Sequence, residues 1–334
     1  MSTRVGINGF GRIGRVFTRL AAERADLEVV GVNDIADARA LANLLEFDST
    51  YGRFSQGVEF DDHALIVGGR RIAVLSERDP AAIDWRALGA DIVVESTGKF
   101  RTREAAAAHL KGGARKVLIS APGKGADLTV VLGVNEHAYD RLRHDVISNA
   151  SCTTNCVAPM AKVLHDAFGV ERGFMTTIHA YTGDQMLIDG PHKDLRRARS
   201  AAVNIVPTTT GAARATGEVI PALAGKLDGV AVRVPVEDGS LTDLAVVVGT
   251  PVTAEAVNEA FAAAAAEGPL AGLLRYSTDP IVSRDIIGDP ASCVFDAPLT
   301  QASGTLVKVF GWYDNEWGYT ARLADLAVLV GSQL

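Results

Sequence analysis

Apolar and polar positions in the first part of the chain alternate in a strand-then-helix rhythm. Residues 5–8 form a short apolar run, and apolar positions at helical spacing follow as far as Ala22. Residues 28–32 repeat the strand pattern and end at Asn33-Asp34. Residues 38–45 and 103–110 read as helices, and 92–95 and 116–120 as buried strands. Residues 65–67 and 72–74 read as a hairpin about Gly68-Gly69. This alternation predicts an α/β fold with a doubly wound sheet.

The pattern changes after Phe168. Residues 173–180, 230–236, 241–248 and 306–313 are strand-like but are separated by single helices or long loops, the α+β pattern of a mostly antiparallel sheet. Residues 181–202 form a long charged loop holding His192, Lys193, Asp194, Arg196, Arg197 and Arg199, and loops this long inside compact domains usually carry function. Thr253 caps a helix running to Ala266. A last helix over 317–330 keeps Leu323, Leu326, Ala327 and Val330 in phase, the kind of element that packs back on the first domain. The expected division is 1–150 with 316–334, and 151–315.

Composition narrows the class. Of 334 residues, 48% are hydrophobic and 22% charged, which fits a soluble globular protein. Three cysteines fit a reducing, cytoplasmic setting, and the start shows no signal-peptide layout. No run approaches the ~20 apolar residues of a membrane span. A net charge of −7 disfavours nucleic acid as the main partner.

Two stretches carry candidate chemistry. Gly9-Phe10-Gly11-Arg12-Ile13-Gly14 is GxGxxG between a strand and a helix. Its glycines suit a tight turn, close approach to a pyrophosphate and tight helix packing, a Rossmann-type fingerprint. Asp34, about 20 residues past Gly14, suits the ribose hydroxyls and repels a 2′-phosphate, which points to NAD over NADP. Ligands in such sheets bind beyond the carboxyl ends of strands, which places Ser96, Thr97, Gly98, Ser120 and Ala121 near the cofactor.

The second stretch is Ser151-Cys152-Thr153-Thr154-Asn155-Cys156, between an apolar strand ending near Ile147 and a helical run over 157–168. Ser151 is the expected N-cap, and the free N–H groups and dipole of the helix favour a thiolate at Cys152. Pro159 either kinks this helix or marks its true start. Cys156 reads as core. No metal site is expected, because Cys293 is distant in sequence and no CxxC pair exists.

With GFGRIG, Asp34 and SNASCTTNC in place, the chain resembles the phosphorylating glyceraldehyde-3-phosphate dehydrogenases over its whole length. HAYTGDQ from His179, DLRRAR from Asp194, PTTTGAA from Pro207, VRVP from Val232 and WYDNEWGY from Trp312 follow in the family's order. The resemblance implies Cys152 as nucleophile and His179 as base, without a metal. It implies Ser151, Thr153, Thr210 and Gly211 at one phosphate site and Thr182, Arg197 and Arg233 at the other, with Arg196 and Arg199 as neighbours of Arg197. Asn315 matches the residue that orients the nicotinamide carboxamide. Gly9, Gly11, Arg12, Ile13, Gly14, Asp34, Arg78 and Ser120 match the other NAD contacts. Glyceraldehyde 3-phosphate, inorganic phosphate and a homotetramer are the implied partners. Gly190-Pro191 agrees with the NAD-using members. Departures are Gly183, where many relatives carry a side chain, and the stretch VEDGSLTD from Val236. The competing readings are an erythrose-4-phosphate dehydrogenase, opposed by the stretch Thr208-Thr209-Thr210-Gly211, and a non-enzymatic binding protein, opposed by the presence of both Cys152 and His179.

Overall fold

A computed structural model describes Ser2 to Leu334. It contains two compact units. One comprises residues 1–130, 137–150 and 320–334, and the other 131–136 and 151–319.

The first unit is built on a nine-stranded sheet. Its strands are β1 (Thr3–Asn8), β2 (Leu27–Asn33), β5 (Val58–Asp61), β6 (Ala64–Val67), β7 (Arg70–Leu75), β8 (Ile92–Glu95), β9 (Lys116–Ile119), β10 (Leu128–Thr129) and β11 (Val146–Ser148). The short pair β3 (Phe47–Asp48) and β4 (Gly52–Arg53) stands apart. The order is β10-β11-β9-β8-β1-β2-β7-β6-β5. All pairings are parallel except those of β5 with β6 and β6 with β7, so the expected hairpin gains a third strand. The middles of the central strands are apolar because both faces are covered: Val5, Ile7, Ile92, Val93 and Val94 are fully buried.

Helices α1 (Arg12–Ala22) and α2 (Ala38–Glu46) follow β1 and β2. The run expected as one helix over 103–110 breaks at Ala107 into α3 (Arg103–Ala106) and α4 (Ala108–Lys111). The Trp85 ring packs on Gly6, where an added Cβ would lie 2.4 Å from it. The far part of α8 (Trp317–Gly331) belongs to this unit. Leu323, Leu326, Ala327 and Val330 are fully buried, and Asp325 pairs with Arg24 at 2.6 Å.

The second unit holds an eight-stranded mixed sheet made of β12 (Val170–Ala180), β13 (Val206–Thr209), β14 (Leu227–Val234), β15 (Ser240–Val248), β16 (Leu274–Ser277), β17 (Cys293–Asp296), β18 (Gln301–Ser303) and β19 (Leu306–Tyr313). Only β12 with β14 and β16 with β17 pair in parallel. One face is packed by α5 (Cys152–Phe168), α6 (Ala212–Val219) and α7 (Ala254–Ala266). Cys156, Met160, Leu164, Val257 and Phe261 meet Met175, Leu244, Val246, Val307 and Val309 there. Phe261 stacks on Phe295 with centroids 3.8 Å apart. Residues of the strands point alternately to this core and away from it, the period of two that sets which side chains reach the site.

Candidate active site

The second unit brings together the sulfur, the imidazole and the basic groups singled out in the sequence. Ser151 caps α5: its hydroxyl accepts from the Thr154 amide at 2.9 Å. Just before it, Ala150 holds φ at 55°, the one positive value at a non-glycine among the described residues. Cys152 therefore stands in the first turn, next to Thr153.

The helix neither starts at Pro159 nor stops there. It runs unbroken from Cys152 to Phe168, because residues 153–161 are buried on all sides and that packing tolerates the one missing N–H. Cys156 is core, as expected, but Cys293 is not remote from it. The Cys293, Cys156 and Met160 sulfurs are gathered over Gly311, with Cys156 3.9 Å from the Met160 sulfur. Pairing of β17 with β19 beside α5 makes this contact, which sequence separation hid. Among the described residues no cluster of His, Cys, Asp and Glu suits a metal.

Parallel pairing of β12 with β14 sets His179 directly beside Arg233. His179 Nε2 lies 3.4 Å from Cys152 Sγ. Its Nδ1 lies 2.7 Å from the Ala180 carbonyl and 2.7 Å from an Arg233 nitrogen, which also donates to Ala180 O at 3.1 Å. Nδ1 serves only one of these partners at a time. Donating to Ala180 O leaves Nε2 as an acceptor facing the thiol. Accepting from Arg233 puts the proton on Nε2, where it donates to a thiolate.

Burial and the Arg233 charge hold His179 down, to about 3, so the imidazole is neutral and free to take a proton. Burial pushes the Cys152 thiol up, to about 11, against the pull of Arg233 and Thr153. Burial thus pulls the resting group toward the thiol, against the helix dipole, which favours the thiolate. That thiol is only half-buried and sits in the first turn of α5, so water and the helix N-terminus moderate the rise. Tyr313, not anticipated from the sequence, bonds both Thr153 and Thr177 at 2.8 Å and sets its ring edge-on to His179.

The residues expected at the two phosphate sites fall into two groups in this unit. Arg197 donates to Thr208 at 3.0 Å and to Asp184, whose other oxygen takes the Thr182 hydroxyl. Burial works against the Asp184 carboxylate, but Thr182, Arg197 and Arg233 hold it below its usual range. Among the neighbouring arginines, Arg199 turns to Asp189 at 2.8 Å and Arg196 is exposed, which leaves Arg197 in this group. Arg233 is without a carboxylate partner among the described residues, and its Nε is buried and unbonded. Thr210 and Gly211 stand at the N-terminus of α6, which packs against α5. Asn315 is buried, its carbonyl taken by the Ser240 hydroxyl at 2.6 Å, which leaves its NH₂ to be presented. Asp184, Ser240 and Tyr313 were missed for one reason: each matters through a partner more than ten residues away or on another strand.

In the first unit the fingerprint glycines do three different things. Gly9 holds φ at 93°, and an added Cβ would lie 2.6 Å from the Thr97 amide. A Cβ on Gly14 would lie 2.5 Å from Gly9 O. One on Gly11 would meet nothing within 4 Å, which leaves open backbone at the N-terminus of α1 for a pyrophosphate. A cavity of about 400 Å³ here is lined by Gly9, Gly11, Asp34, Arg78 and Thr97, among others. Asp34 accepts from the Phe10 and Ala36 amides at 2.8 and 3.1 Å, which fixes its carboxylate at the rim. Arg12 pairs with Asp48 beside the Tyr51 ring, Ile13 is half-buried, and Ser120 follows β9, its amide on Glu95 O at 3.0 Å. The open cradle and the fixed carboxylate fit NAD.

A doubly wound unit with a dinucleotide cradle, joined to an α+β unit carrying a paired thiol and imidazole, defines an NAD-dependent dehydrogenase. Comparison with known sequences sharpens the class. The family model "Glyceraldehyde 3-phosphate dehydrogenase, NAD binding domain" matches residues 3–103, and that of the C-terminal domain matches 151–315. Glyceraldehyde-3-phosphate dehydrogenase 2 of Streptomyces arenae is 60% identical over 335 residues, covering 100% of both chains. The Geobacillus stearothermophilus enzyme of that name is 55% identical, covering 100% of this chain and 99% of its own. The Mycolicibacterium smegmatis one is also 55% identical, covering 100% of both. The chain belongs to the glyceraldehyde-3-phosphate dehydrogenase family.

Proposed function

We propose that the chain oxidises glyceraldehyde 3-phosphate to 1,3-bisphosphoglycerate through a thioester on Cys152. The observation that carries this reading is the thiol of Cys152 3.4 Å from a neutral His179 at the head of a capped helix. The thiol gives its proton to His179 Nε2 as sulfur attacks the aldehyde carbon, and His179 passes that proton to the oxygen of the resulting hemithioacetal, becoming neutral again. His179 then takes the hydroxyl proton as the C–H bond breaks. The nicotinamide of NAD, when bound, accepts the hydride. The resulting thioester keeps a good leaving group. Inorganic phosphate attacks its carbonyl carbon, the C–S bond breaks, and acyl phosphate departs from the thiolate.

Thr182, Arg197 and Arg233 hold one phosphate, displacing Asp184 from Arg197. Ser151, Thr153, Thr210 and Gly211 hold the other, where the N-termini of α5 and α6 favour an anion. Asn315 orients the carboxamide, and Gly9, Gly11, Arg12, Ile13, Gly14, Asp34, Arg78 and Ser120 hold the dinucleotide. On this reading residues 1–150 with 316–334 act as the NAD-binding domain and 151–315 as the catalytic domain.

The protein works as a cytoplasmic homotetramer on this reading. Exposed Phe174, Val230 and Leu306 on the open sheet face, and Leu187, Ile188, Leu195, Val203 and Ile205 in and after the long loop, support burial against further copies. No helix among the described residues is long and apolar enough to cross a membrane. The test is NADH formation from glyceraldehyde 3-phosphate with and without inorganic phosphate, repeated with erythrose 4-phosphate. Phosphate-dependent NADH, lost on alkylating the thiol, is the expected result. Phosphate-independent turnover, or preference for the four-carbon sugar, would overturn it.

A further inference from the structure

The buried face of the second unit's sheet joins three hydroxyls to one another. Tyr313 ends β19, and Thr177 lies two residues before His179 on β12; both belong to the buried rows of their strands. The Tyr313 hydroxyl is 2.8 Å from the Thr177 hydroxyl and 2.8 Å from that of Thr153, in the first turn of α5. Thr153, Thr177 and Tyr313 are 4%, 1% and 2% exposed, so bulk water does not complete the set. Burial pushes the Tyr313 phenol well up, so it keeps its proton.

A phenol has a single proton, and the two threonine oxygens are its hydrogen-bond partners, so Tyr313 donates to one of them. The Thr153 end sets the order. Thr153 follows the nucleophile in the chain, and the phosphate that cleaves the thioester must reach the carbon bonded to sulfur. Donation from Thr153 to that phosphate uses the one proton of its hydroxyl. The Thr153 oxygen then accepts from Tyr313, and the Tyr313 oxygen accepts from Thr177. Every proton in the chain points toward the anion, and a low local dielectric strengthens such a series of bonds.

We propose that Tyr313 is a positioning residue for the phosphorolysis step: backed by Thr177, it fixes the Thr153 hydroxyl so that its proton faces the attacking phosphate. The proposal rests on the reading of Thr153 given above. It gives Thr177, which touches no reacting group, a share in one half of the reaction. Acylation of Cys152 by the aldehyde precedes the attack of phosphate and does not draw on this proton. Thr242 supplies an internal comparison. It pairs with Thr177 across β12 and β15 and so lies on the same face, but its buried hydroxyl has no partner among the described residues.

The experiment uses the full-length protein and two rapid-mixing measurements. The burst of NADH from glyceraldehyde 3-phosphate without inorganic phosphate reads acylation. The decay of the accumulated thioester on mixing with inorganic phosphate reads phosphorolysis. Tyr313→Phe keeps the ring edge-on to His179 and loses only the hydroxyl. It should lower the second-order rate constant for phosphorolysis roughly three- to tenfold, the worth of one neutral hydrogen bond, and the burst by less. Thr177→Val should show the same selective loss at smaller size, and Thr242→Val should leave both rates as they are. Wild-type phosphorolysis in Tyr313→Phe, with Thr153→Val slow, would overturn the proposal and leave the reading of Thr153 intact. Wild-type phosphorolysis in Thr153→Val would overturn that reading, and the proposal with it. Equal losses of burst and phosphorolysis in Tyr313→Phe, or a loss in Thr242→Val as large as that in Thr177→Val, would reduce these hydroxyls to supports of the fold and overturn the proposal. If Tyr313→Phe does not fold, the comparison of Thr177→Val with Thr242→Val decides.

Discussion

Replacing Arg233 by leucine should make Cys152 markedly less reactive, and the size of the effect follows from the site. The guanidinium is 2.7 Å from His179 Nδ1, and Nε2 of the same ring is 3.4 Å from the sulfur. With the width of an imidazole, this puts the charge within about 8 Å of Sγ. At an effective dielectric near 20, 332/(ε·r) gives about 2 kcal/mol of preference for the thiolate, equal to roughly ten- to thirtyfold in its population. The sign is fixed. Arg233 pulls the thiol down against burial, so removing it moves the thiol further up and lowers the thiolate fraction at any pH below that range. The assay is the rate of alkylation by a neutral reagent such as iodoacetamide, measured without substrate across neutral and alkaline pH. Wild type should react faster as pH rises, and the variant should follow the same curve displaced to higher pH by one unit or slightly more. Arg233→Lys should restore most of the rate, since it keeps the charge. A variant curve that superimposes on wild type would refute the reasoning, because the arginine would then have no hold on the sulfur. A wild-type plateau in the acid range would refute the neutral thiol and imidazole assignment.

Other perturbations separate the remaining roles. His179→Asn should slow turnover by roughly 10²–10⁴-fold, the usual worth of a positioned base, and steady-state kinetics near the wild-type rate would remove that role. Asp34→Ala should shift the NADP-to-NAD preference by about tenfold, or 1.4 kcal/mol, toward NADP; an unchanged ratio of kcat/KM values would count against the ribose contact. Gly14→Ala drives a methyl into Gly9 O at 2.5 Å, so it should destabilise the protein by about 1–3 kcal/mol and weaken NAD binding; thermal unfolding with and without NAD measures both.

Much of the site was legible because its signals are local. The Ser151 cap, the three glycines and Asp34 each act within a few residues or at a fixed spacing, so sequence and geometry coincide. The strand-and-helix rhythm was legible for the same reason, apart from the break at Ala107 and the helix that continues through Pro159, where buried packing outweighs a missing N–H. What stayed hidden depends on strand pairing. His179 meets Arg233 across 54 positions only because β12 and β14 run parallel in one register. Arg197 is distinguished from Arg199 by the acid each finds, and from Arg196 by that residue's exposure. Cys293 and Cys156, whose sulfurs both lie against Gly311, likewise needed the pairing of β17 with β19.

The division of the chain also bears on how it is made. Residues 320–334 belong to the first unit, yet they are synthesised after the whole second unit. While the chain emerges, residues 151–319 have all their internal partners, whereas the first unit still lacks the helix that buries Leu323, Leu326 and Val330. Domains usually fold in order of synthesis, from the amino end. Here the unit that starts first finishes last, and it is incomplete until the final turns of α8 arrive. Nascent chains stopped before residue 320 should therefore recruit chaperones through the first unit, not the second.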